Sequence, residues 1–197
     1  MINKNKALKD SRPGYEYLIV YMLGKVIQDL TAEFCQVFLK NPKDPNYPNY
    51  RQHEQMIQAS RSISQNIAEG YTGESLSTYI LLSGVANGSN EELSRDFEDY
   101  LRQRGLPIWG KDDPRVRVFR KFRVFWTGPK ALNTPKLPTN PTEAANLLLT
   151  LCQMESYLLH QHVESLKKKH ETEGGYTENL FKKRREYRIK KTGDYYG

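Results

Sequence analysis

The chain has 197 residues, 38% of them hydrophobic and 27% charged, a balance that suits one globular domain with a short appendage and excludes a disordered chain. The longest apolar stretch, residues 17–23, is far too short to span a bilayer. No apolar segment follows the first lysines, and Cys35 and Cys152 make no disulfide framework, so a cytoplasmic protein without contact to a membrane is expected. Thirty Lys and Arg against 23 Asp and Glu give a net charge of +7, which favours anionic partners.

Residues 15–40 place Ile19, Leu23, Val26, Ile27, Leu30, Phe34, Val37 and Phe38 at helical spacing on one face. Pro42, Pro45 and Pro48 then predict a loop over residues 41–49. A second helix is expected over residues 50–69, burying Met56, Ala59, Ser60, Ile63 and Ile67 and closing at Gly70 as a left-handed cap.

The third helix reaches about residue 104, with Tyr79, Leu82, Val85, Ala86, Ser89, Leu93, Phe97, Tyr100 and Leu101 on one face and Gly105 and Pro107 after its end. On its outer side, Glu91 and Arg95, Arg95 and Asp99, and Glu98 and Arg102 are four apart with opposite charge. The connection over residues 105–140 is long and is expected to hold a short helix near residues 115–126. Asn140, Pro141 and Glu143 then supply an N-cap, a first-position proline and a reciprocal carboxylate. The helix they start, to about residue 173, buries Ala144, Leu147, Leu148, Leu151 and Leu158. The pattern is all-α: an antiparallel four-helix bundle over residues 1–173 and a short basic helical suffix over 174–197.

The segment Ser62 to Gly70, SISQNIAEG, followed by Ala86 to Leu93, ANGSNEEL, resembles the paired signatures of a bacterial four-helix-bundle family. That family includes proteins encoded by intervening sequences in large-subunit rRNA genes and the accessory variability protein of diversity-generating retroelements. The likeness covers residues 15–105 and, more loosely, the fourth helix; the tail GGYTENLFKKRREYR resembles the suffix domain of some members. The resemblance implies a four-helix protomer, a ring of five copies and no established enzymatic activity. It also implies a positively charged surface that engages RNA or DNA and, in the retroelement relatives, a reverse transcriptase.

Read from the residues alone, Ala59, Ser60, Ser62 and Ala68, with Ser83, Gly84, Ala86, Gly88 and Ser89, are small enough for two helices to approach closely. Asn66, Glu69, Ser89 and Glu92 can then form a hydrogen-bonded polar set across the seam, with Gly70 closing it. This packing reading is preferred to a catalytic one, since buried polar networks chiefly specify packing. Glu69 and Glu92 invite a di-metal site, but such bundle sites also need Glu-x-x-His, and His53, His160, His162 and His170 do not supply it. Glu91, Glu92, Asp96, Glu98 and Asp99 are the densest acidic cluster. As magnesium ligands they would make a nuclease; interleaved with Arg95 and Arg102, they read better as a solvated face. No catalytic residue, metal or cofactor is therefore assigned.

Three basic clusters carry the functional expectation. Arg115, Arg117, Arg120, Lys121 and Arg123 alternate with Val116, Val118, Phe119, Phe122 and Phe125, so the segment can dock by its apolar residues and present its charge. Lys167, Lys168 and Lys169 lie in the last turns of the fourth helix, where cations complement the helix dipole. Lys182, Lys183, Arg184, Arg185, Arg188, Lys190 and Lys191 form the tail cluster, with Tyr187, Tyr195 and Tyr196 available to stack on bases. Two functions follow as expectations: a non-enzymatic homo-oligomer that binds nucleic acid, or a protein that processes it, through these surfaces; and a structural module that grips another protein through its aromatics.

Overall fold

Residues 12–41, 44–48 and 50–193 are described by a computed structural model, and they form an all-α fold with two small β ribbons. A 3-10 turn, Gly14–Tyr17, leads into α1, Ile19–Phe38. The other helices are α2 Tyr50–Thr72, α3 Leu76–Gln103, α4 Pro114–Phe119, α5 Pro141–Glu173 and α6 Tyr176–Gly193. α1 packs on α2 and α5, and α3 packs on the same two, so four long helices enclose one core. Their apolar faces meet there: Phe34 of α1 lies edge-on to Phe97 and Tyr100 of α3, with ring centroids 5.2 and 4.9 Å apart. Such pairs contribute about 0.5–1.5 kcal/mol beyond the area they bury.

Local codes set several boundaries. Asn140 Oδ1 accepts from the backbone N–H of Thr142 at 2.9 Å and of Glu143 at 3.2 Å, with Pro141 in the first turn. Asn140→Ala should therefore lower stability by about 1 kcal/mol, read as a lower urea midpoint at unchanged slope. Gly105, at φ +65°, ends α3 as expected, and the N–H of Leu106 returns to the Leu101 carbonyl at 2.9 Å. Gly174, at φ +76°, separates α5 from α6.

Other expectations are corrected. Gly70 is no left-handed cap: α2 runs on to Thr72, and the residue is buried against Tyr79. Asp44–Pro48 is not plain loop but strand β2, paired antiparallel with β1, Lys40–Asn41; Pro42 lies outside the described residues. The short helix of the long connection stops at Phe119, and Trp126–Gly128 (β3) pairs with Ala131–Leu132 (β4) as a hairpin. That hairpin is held from outside. Arg12 lies 4.4 Å over the Trp126 ring and donates to the Gly128 carbonyl at 2.6 Å, while Trp126 Nε1 donates to the Glu16 carbonyl. Ile19, Val37 and Val85 are exposed rather than core. On the outer side of α3, Arg102 pairs with Asp99 at 2.7 Å rather than with Glu98, and Glu91 accepts from Asn87.

Candidate functional site

The seam between α2 and α3 is real but differently built. Asn66 Nδ2 donates to both the carbonyl and Oγ of Ser62 at 2.8 Å, and Ser89 Oγ donates to Ser62 Oγ at 3.0 Å. Ser62 thus joins Asn66 to Ser89 across the two helices. Glu69 and Glu92 stand outside this set: Glu69 accepts from Gln65 on its own helix, and Glu92 is exposed at the rim of a shallow cleft. A carboxylate at either place is better solvated by water than by the seam. Gly88 and Gly84 are exposed, and a Cβ on either would meet nothing within 4 Å. Within the long helices, the glycines that do permit close approach are Gly70, against Tyr79, and Gly24 of α1, where a Cβ would lie 3.0 Å from Ile63.

The core holds polar groups that sequence periodicity did not single out. Asn90 is buried and donates Nδ2 to the Cys152 carbonyl at 2.8 Å, tying α3 to α5, while its Oδ1 has no partner among the described residues. Glu155, one turn after Cys152, is fully buried, and neither carboxyl oxygen is bonded among the described residues. Burial pushes its pKa well above the ordinary glutamate value. Asp96 is raised to about 6, by burial first and then by Glu92 and Asp99, and it helps to push the buried Cys35 thiol up to about 12. Such perturbed groups often mark functional sites. Here no cluster of three His, Cys, Asp or Glu able to hold a metal occurs among the described residues.

The basic clusters differ in how far their charge is already engaged. In the connection, Val116 is buried and Phe119 stacks on Trp109 at 6.2 Å, while the cations face outward. Arg115 pairs with Asp113 at 2.7 Å and lies 3.5 Å over Trp109, and Arg117 reaches Asp112 at 3.5 Å. The Arg115 hydrogen bonds hold Asp113 down to about 2. Lys121 is exposed, and Arg120 and Arg123 donate to neutral acceptors. At the end of α5, Lys167 pairs with Glu164 and Lys169 with Glu173, leaving Lys168 without an ion pair among the described residues.

α6 is different. Every side chain over residues 181–191 is exposed, and Lys182, Lys183, Arg184 and Arg185 form no ion pair among the described residues. Seven Lys and Arg against Glu178 and Glu186 give this one helix a net charge of five, most of the chain's total of +7. Lys183 also lines one cleft with Lys169, so the second and third clusters meet where α5 turns into α6. Tyr187 is exposed beside the cations; Tyr195 and Tyr196 lie outside the described residues. No helix among the described residues is long and apolar enough to cross a membrane.

No family model, curated protein or solved structure matches the chain, so the functional reading rests on these residues.

Proposed function

We propose that this chain is a binding protein rather than an enzyme: an antiparallel four-helix bundle that self-associates and captures a nucleic acid strand on the basic helical suffix formed by α6. The observation that carries the reading is that α6 is exposed on every side over residues 181–191, with most of the chain's positive charge concentrated on it. A helix segment that buries no face gains little from packing, and Lys182, Lys183, Arg184 and Arg185, without an ion pair among the described residues, repel one another until a polyanion neutralises them. Over 18 residues the helix extends about 27 Å, long enough to follow several consecutive phosphates, and Tyr187 offers a ring on which a base can stack. Self-association is favoured by the outer face of α3. There Leu81 and Val85 are exposed beside the bare Gly84 and Gly88, a smooth apolar strip with no partner among the described residues.

The test is salt dependence. If about five phosphates are neutralised, affinity for a fluorescein-labelled single strand should fall by about a hundredfold between about 50 and 200 mM salt. Replacing Lys182, Lys183, Arg184 and Arg185 together by Gln, which keeps helix propensity while removing charge, touches only exposed positions. It should remove most of that slope while the circular dichroism spectrum stays unchanged. A flat salt response, or a slope indifferent to the substitutions, would refute the reading.

A further inference from the structure

Between α1, α5 and the segment that follows α4 lies a cleft of about 590 Å³. Its floor is Leu23, a member of the core only 1% exposed, and its walls are Phe122, Val124, Met154 and Leu158. Arg120 and Arg123 also line it, and among the described residues no Asp or Glu does. The volume is that of a small-molecule site, apolar with a few oriented polar groups.

The two guanidinium groups indicate the charge of the occupant. Arg120 Nη2 reaches only the neutral Gln153 Oε1, at 3.4 Å, and Arg123 Nη1 donates to the carbonyls of Arg120 and Phe122 at 3.1 and 2.9 Å. Neither meets a carboxylate among the described residues, whereas Arg115 and Arg117 of the same segment do. The wall is also set in place: Asn133 accepts from the Phe125 N–H at 2.6 Å and donates to the Arg123 carbonyl at 2.5 Å. A preformed site of this kind spends little of its binding energy on ordering.

We propose that this cleft binds one amphiphilic anion, an aliphatic chain ending in a carboxylate or phosphate. The chain lies over Leu23 between Phe122 and Leu158, and the head takes charge-assisted hydrogen bonds from Arg120 and Arg123. Base edges and ribose would find few polar partners in these walls, so the site is separate from the nucleic-acid surface of α6 and does not depend on it.

Titration calorimetry on the whole chain tests this with dodecanoate, dodecyl phosphate, dodecanol, dodecyltrimethylammonium and acetate, each below its micellar threshold. Dodecanoate or dodecyl phosphate should bind one per chain, the tighter of the two identifying the head group. Dodecanol and the ammonium amphiphile should bind about tenfold or more weakly, and acetate not at all. Replacing Arg120 and Arg123 together by Gln should bring the anion down to the affinity of dodecanol. Ile19 lines the cleft yet is more than half exposed, so Ile19→Glu spares the core; it should weaken the anions and leave the ammonium amphiphile unaffected. Equal affinity for all head groups, no binding of either anion, or an acidic amphipathic peptide binding where dodecanoate does not, would each overturn the proposal.

Discussion

Replacing Glu155 by methionine should make the protein more stable by about 1–3 kcal/mol near pH 4.5, the usual penalty of a buried polar group without a hydrogen bond, and by more at neutral pH. The carboxyl is fully buried and neither oxygen is hydrogen-bonded among the described residues, while methionine is of similar volume and has nothing to desolvate. The gain should depend on pH in a defined direction. In the unfolded chain the carboxyl ionises near its ordinary value of 4.5, but burial keeps it protonated in the folded protein. Above that value the folded state holds one more proton than the unfolded state, so stability falls as pH rises, by about 1.4 kcal/mol per pH unit until the folded carboxyl ionises. Asp96, raised to about 6, adds a smaller loss of the same sign between pH 3.8 and 6. His162, lowered by burial, acts in the opposite sense, losing stability as pH drops below 6.5.

Asp96 and His162 both remain in the variant, so the difference between the two urea-denaturation curves isolates Glu155. That difference should widen from pH 4.5 to 7. Glu155→Gln should give little gain near pH 4.5, because its amide keeps the polar burden, yet show the same widening toward pH 7, because it cannot ionise. A difference that stays constant with pH would show that the carboxyl is solvated or bonded after all.

The sequence signals that succeeded are those written in neighbouring residues. Asn140 and Pro141 start a helix, and Gly105 stops one, because each acts on the backbone beside it. Signals that depend on distant partners were not legible. The hairpin at Trp126 needs Arg12 and the Glu16 carbonyl to hold it, more than a hundred residues away. Glycine and serine carry no hydropathy, so periodicity could not say that Gly84 and Gly88 face outward while Gly70 faces in. Glu155 was readable in principle, since Cys152, Glu155 and Leu159 share the phase of the buried stripe. A charged residue in that phase reads as a lapse of the pattern until its burial is seen. The basic clusters were legible as composition, but which cations remain unpaired required the positions of Asp112, Asp113, Glu164 and Glu173.

The glycines supply the sharper contrast, because one substitution should have opposite signs at three positions of the same helix pair. Gly70→Ala should lower stability by about 1–3 kcal/mol through overpacking, despite the better helix propensity of alanine. A Cβ there would collide with the Tyr79 ring and lie 3.2 Å from the Tyr79 backbone. That ring cannot swing away, since its hydroxyl bonds His162 at 2.8 Å and its edge meets Tyr71 at a centroid distance of 6.1 Å. α2 and α3 must therefore separate. Gly84→Ala and Gly88→Ala, with open space around each Cβ, should instead raise stability by about 0.5–1 kcal/mol apiece through helix propensity. Measured together by urea denaturation and light scattering, the outer pair also tests self-association. If copies of the chain meet on the α3 strip, two methyl groups should weaken the assembly while the protomer becomes more stable; if they meet elsewhere, stability alone should change.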